Sequence, residues 1–226
     1  MSDPEELRHF FDKWRARWPD WPVAEAFVPE AQREVAMAWL ALRSELADAA
    51  WSGSDPTPGA AKLGWWAEEL FGWAQGARRH PLGRVLQKRP APWEALASGI
   101  PALRSSRVQT GELAPAVKEL EPFAEGLARV SSALFEARPV ASSWTTAIVL
   151  LGERALRQPP SGTPGELSAR GLLLQPRFDG SSRPERIHAA LVRARLQRLI
   201  AGKPPEPGHW RALLTAWRAA RGQVQA

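Results

Sequence analysis

Residues 62–86, KLGWWAEELFGWAQGARRHPLGRVL, decide the fold. Leu63, Trp66, Leu70 and Trp73 stand at i, i+3, i+7 and i+10, which puts them on one face of a helix. Trp65 lies beside that stripe, and Glu68 and Glu69 are expected to point elsewhere. Gly76 closes the helix. Pro81 suits the first turn of the next, where a missing N–H costs nothing. A Trp-rich amphipathic helix needs other helices to cover it, and the remainder of the chain offers them.

Helical periodicity dominates on both sides of this stretch, and no alternating strand pattern stands out. Ser2 with Glu5 makes a capping box for a helix to about Trp18. WPDWP (18–22) reads as a turn, and Pro29 starts a long helix to about Trp51. Residues 52–59 read as a loop, followed by the Trp-rich helix and a His-Pro helix to about Arg89. Two short helices are expected after Trp93 and after Pro101. A long apolar pattern covers 111–134, with Pro122 expected to kink or divide it. Pro139 is expected to open a buried helix to about Leu156. QPPSGTPG (158–165) reads as a linker, 166–182 is ambiguous, and two basic amphipathic helices close the chain near 184–201 and 207–221. The sum is about ten helices in one all-α domain spanning 1–226.

Composition narrows the function classes. The 226 residues include no cysteine, so disulfides, thiolate catalysis and Cys-ligated zinc are excluded. Tyrosine is absent and tryptophan numbers 12, so no phenol can act as acid or base. The acidic opening MSDPEELRHFFDKW is unlike a signal peptide or a mitochondrial presequence, and no apolar run, 147–151 included, is long enough to span a bilayer. A cytoplasmic, optionally membrane-peripheral protein is the expectation. The net charge of +6 is uneven: residues 183–226 carry nine Lys/Arg and two acids. That basic end is expected to form solvated helix faces rather than a nucleic-acid platform, although anionic membrane or phosphate would also suit it.

His9, His80, His188 and His209 are widely spaced, with no H-x-x-x-H pair, and no G-x-G-x-x-G, P-loop or G-x-S-x-G occurs. His80 reads as a capping or packing part of the His-Pro turn. Trp39, Trp65, Trp66, Trp73, Trp93 and Trp144 fall at apolar helix positions and are expected in the core, or in part around a cleft.

Four blocks, in order, resemble the squalene/phytoene synthase family of head-to-head prenyl synthases. They are FFDKW-x-x-x-WPDWP (10–22), REVAMAWLALRSELADAAW (33–51), the Trp-rich block above with its His80-Pro81 turn, and VASSWTTAIVLLGERAL (140–156). The resemblance is strongest over 10–157. It implies a single-domain, multi-helix isoprenoid-synthase-like bundle around a central apolar cleft, with Trp65, Trp66, Glu69, His80 and Pro81 as family-motif or cleft residues. In active members two D-x-x-x-D pairs face each other and hold Mg²⁺ on a prenyl diphosphate, whose departure leaves a carbocation. Here the first pair falls on Ala47 and Trp51, with Glu45 and Asp48 as the acids nearby. The second falls on Leu151 and Ala155, with Glu153 as the acid in the run. Both motifs are therefore degenerate, and no register restores them. Two acids three apart, Glu45 and Asp48, are expected to face solvent. A rescued metal site from Glu45, Asp48 and Glu68 is the minor option.

The leading expectation is a non-catalytic member with no catalytic residue, resident metal or cofactor. It would bind an isoprenoid lipid or a protein partner in an accessory or assembly role. The alternative is an active prenyltransferase condensing prenyl diphosphates with Mg²⁺ on unexpected carboxylates. A third class is peripheral binding of an anionic membrane through 183–226, with nucleic acid less favoured.

Overall fold

The computed structural model describes residues 3–108, 111–158, 169–175 and 182–222. Among them are eleven α-helices, one 3-10 turn and no strand. In chain order the helices are α1 (Asp3–Arg17), α2 (Trp21–Ala24), α3 (Glu30–Trp51), α4 (Pro56–Ala74), α5 (Gly83–Leu86) and α6 (Trp93–Ser105). Then follow α7 (Leu113–Phe135), α8 (Ser143–Arg157), α9 (Ala169–Leu173), α10 (Arg183–Ile200) and α11 (His209–Arg221). The all-α expectation holds for these residues. None of these helices is long and apolar enough to cross a membrane.

Helix α3 is the axis of the molecule. From Val35 to Trp51 every side chain except that of Asp48 is buried, and α1, α4, α5, α6, α7 and α8 all touch it. A helix covered on all sides has no solvent face, so its small residues set how closely neighbours approach. Alanines at 36, 38, 41, 47, 49 and 50 give α3 that slim profile. Around it the tryptophans fill the interior. Trp66 meets Trp73 edge-on at 6.4 Å, Trp73 meets Trp93 at 5.0 Å, and Trp93 meets Trp39 at 6.4 Å. Edge-to-face rings at these separations are a favoured aromatic geometry. Trp144, expected in the core, is instead exposed, and Trp65 is half-buried.

Helix limits differ from the sequence reading where a cap or a proline acts locally. The expected loop 52–59 is shorter, because Asp55 accepts a hydrogen bond from the Thr57 N–H at 2.9 Å and Pro56 starts α4. Pro101 does not separate two helices but lies inside α6, and α7 runs unbroken through Pro122. These two helices lie against each other at glycines. A Cβ on Gly99 would stand 2.6 Å from the Phe123 Cα, and one on Gly126 would stand 2.8 Å from the Ala95 carbonyl oxygen. Such close packing supports both prolines, whose lost hydrogen bonds alone favour a break. The start of α8 falls at Ser143 rather than Pro139, because the Ser142 hydroxyl accepts from the Thr145 N–H. The His-Pro helix shrinks to the four residues of α5. Ser2 and most of 158–168 lie outside the described residues.

Candidate functional site

The two stretches that carry the resemblance to the aspartate-rich motifs lie on α3 and α8. Ala47, Trp51, Leu151 and Ala155, the positions expected to align with the family's aspartates, are all buried apolar side chains. Trp51 donates its Nε1–H to the Ser106 hydroxyl at 3.1 Å, and the Arg154 guanidinium lies 5.6 Å from its ring centre. The second guanidinium nitrogen of Arg154 donates to the Arg107 carbonyl at 2.9 Å. Indole and guanidinium together fix the C-terminal end of α6 against α3 and α8.

The acids of the motif regions are not solvent-facing, contrary to the expectation for Glu45 and Asp48. Glu45 is 4% exposed, Glu153 is 3% exposed, and Asp48 is half-buried. Carboxylates so enclosed stay charged only against cations, and this chain supplies them. Lys62 of α4 reaches Glu45 at 2.6 Å, and Lys13 of α1 pairs with it on the other oxygen. Arg17 of α1 pairs with Asp48, and Arg157 of α8 approaches the same carboxylate at 3.3 Å. Arg157 also lies 3.4 Å from Glu153, one turn earlier on α8. Arg43 of α3 closes on Glu153 at 2.7 Å and sits 3.5 Å from Glu185 of α10. The outcome is a continuous seam of alternating charge that joins α1, α3, α4, α8 and α10.

Burial pushes the Glu45 carboxyl up, but the ammonium groups of Lys13 and Lys62 bring it below its ordinary value. Arg17 and Arg157 do the same for Asp48, and Arg43 and Arg157 do so for Glu153. His188 stands at the inner end of the seam, 3.7 Å from Glu153, with neither ring nitrogen hydrogen-bonded. Complete burial, reinforced by Arg43, Arg157 and Arg195, outweighs Glu153 and pushes the imidazole down to about 3. His188 is therefore a neutral packing group against Trp18, at 4.6 Å, and Trp14.

Glu69 was expected to point away from the helix's apolar stripe, yet it is buried. Its carboxylate accepts from the N–H groups of Arg79 (2.7 Å) and His80 (2.8 Å) and from the Trp73 indole (2.8 Å). His80 in turn accepts the Leu82 N–H on Nδ1 at 3.1 Å, and its ring contacts Trp66 and Phe10. The capping reading of His80 holds, and burial pushes its imidazole down to about 4. The Glu69–His80–Pro81 group is a structural clasp on the turn after α4.

Among the described residues no three His, Asp or Glu side chains gather as a metal-binding set. Glu68 is exposed beside Arg79 rather than beside Glu45 and Asp48. The donor chemistry does not fit Mg²⁺: each carboxylate of the motif regions already has at least two cationic partners from this chain. A divalent ion would have to displace them.

The apolar groove lies elsewhere. It is about 860 Å³ and runs between α4 and α6, floored by Ala49 and Ala50 of α3. Ala60, Leu63, Ala67, Phe71 and Ile100 form its walls, and Arg104 and Arg107 stand at one end. No carboxylate lines it. Arg107 is committed to the carbonyls of Ala50 (2.9 Å), Ser52 (3.1 Å) and Gly53. Sequence reasoning missed this groove because its walls are ordinary small and apolar helix positions; the nearest signal was the run of Ala and Gly at 59–67. In comparisons with known proteins, no family model, no curated protein and no solved structure matches the chain.

Proposed function

We propose that this chain is a non-catalytic protein of squalene/phytoene synthase-like architecture that holds an apolar chain of isoprenoid type, in an accessory or assembly role. The family reading rests on the order of the four sequence blocks. The observation that carries the non-catalytic part is a separation: the groove has no carboxylate, and the carboxylates are neutralised by Lys13, Arg17, Arg43, Lys62 and Arg157. Diphosphate ionisation requires metal and apolar cavity in one place. A groove of this size and lining suits a linear hydrocarbon chain, and Arg104 offers a cation for an anionic end.

The test is calorimetric titration of farnesyl thiodiphosphate, an unreactive analogue, into metal-free protein. Gly64 lines the groove, and a Cβ there meets nothing within 4 Å, so Gly64→Phe fills the groove without disturbing the helix. Binding that Gly64→Phe weakens at least tenfold is the expected result. Undiminished binding to the variant, or none to the wild type, would overturn the groove assignment.

A further inference from the structure

The C-terminal helix carries an apolar stripe that the fold does not use. Trp210 is 78% exposed, Leu214 44% and Trp217 40%. They stand at i, i+4 and i+7, one face of α11. The opposite face is Ala212, Ala216 and Ala220, all buried where α11 packs on α10 and α2. The helix is thus anchored by its alanines, and its large side chains project outward. The sequence reading expected solvated faces on these basic helices; the exposed Trp210 and Trp217 correct that for α11.

The charges on the helix that carries the stripe are of one sign. Arg211, Arg218 and Arg221 share α11 with it, and the helix has no acid. The Arg221 guanidinium lies 4.6 Å from the centre of the Trp217 ring. Beside it is a hollow of about 490 Å³ in which Arg33, Arg183 and Arg221 face a lone carboxylate, Glu30. Arg33 is held in place by the Val28 carbonyl, which it reaches at 3.1 Å.

We propose that this face of α11 docks the protein on the surface of a bilayer containing anionic lipid. Trp210, Leu214 and Trp217 enter the headgroup–acyl boundary, and the hollow beside Trp217 takes a lipid phosphate. Indoles favour that boundary because one ring edge stays wet while the body is apolar. Arginines beside an exposed apolar stripe are the pattern of a helix that lies in the interface plane. A second copy of the chain is disfavoured as occupant, because a twofold contact would bring the same arginines face to face.

The test is co-sedimentation of the full chain with vesicles of equal parts phosphatidylcholine and phosphatidylglycerol, against phosphatidylcholine alone. The expected result is binding to the anionic vesicles only, weakened by salt. Trp210→Ser with Trp217→Ser should reduce it at least tenfold. Arg183→Gln with Arg221→Gln should reduce it about fivefold for each charge removed. These side chains are outside the core, and circular dichroism checks that each variant is folded. Absence of anionic-vesicle binding, equal binding by the Trp variant, sedimentation without vesicles, or displacement from vesicles by single-stranded oligonucleotide would each overturn the proposal. Gly64→Phe should bind vesicles like the wild type, so failure of the groove reading and failure of this one are separately visible.

Discussion

Glu153→Ala is expected to lower the unfolding free energy by about 3–5 kcal/mol, the usual cost of stranding a buried charge. Glu153 is 3% exposed, and its removal leaves Arg43, itself 4% exposed at the side chain, with only the longer contact to Glu185. Arg157 would keep Asp48 and lose its second carboxylate. Glu153→Leu combined with Arg43→Met should recover most of the loss, because an apolar pair of similar volume replaces a desolvated ionic one. Urea denaturation reads both. A Glu153→Ala unfolding free energy within about 1 kcal/mol of wild type would mean that Glu153 is not the counter-charge of Arg43.

The second large effect is acid sensitivity. His80 and His188 are held neutral, at about 4 and about 3, against an ordinary value of 6.5. For a depressed histidine the unfolded chain binds the proton first. Stability is therefore full above 6.5 and falls as pH drops toward the folded value. Each imidazole contributes a slope of about 1.4 kcal/mol per pH unit in that window. The carboxylates act later. Glu45, Asp48, Glu69 and Glu153 are all lowered, so their contribution is full above their unfolded values of 4.5 or 3.8 and is lost below. Stability should thus decline between pH 6.5 and 4.5, before any carboxylate titrates. His188→Phe, which keeps a ring against Trp18, should remove about half of that slope. A denaturation midpoint that is flat from pH 7 to 5 would contradict the neutral assignment of both histidines.

Much of the fold was legible because single residues punctuate it. Pro29 and Trp51 bound α3, and Gly76, at φ +85°, follows α4. The failures lie where packing overrides local signals, as at Pro101 and Pro122, whose helices are held continuous by the close Gly99 and Gly126 contacts. Glu45, Asp48 and Glu153 were legible as positions, but their environment was not. Lys13 and Arg17 lie 32 and 31 residues before the carboxylates they neutralise, and Arg157 lies 109 residues after Asp48. Only tertiary folding brings them together. One local trace existed: Lys13 and Arg17 share a face of α1, as Glu153 and Arg157 share a face of α8, each pair at i, i+4. Glu69 was misread for a related reason. Its spacing of three from Trp66 and four from Trp73 puts it at the edge of the apolar stripe, and the chain turns back after Gly76 and brings the Arg79 and His80 N–H groups onto it.

The self-neutralised seam is the central feature, and it is tested most directly by titrating inorganic pyrophosphate into the protein with and without Mg²⁺. With Glu45, Asp48 and Glu153 already paired to Lys13, Arg17, Arg43, Lys62 and Arg157, no Mg²⁺-dependent heat is expected beyond that of pyrophosphate mixing with Mg²⁺ in buffer. A Mg²⁺-dependent binding heat that Glu45→Gln or Asp48→Asn abolishes would show that these carboxylates release their cations to metal, and would restore the prenyltransferase reading.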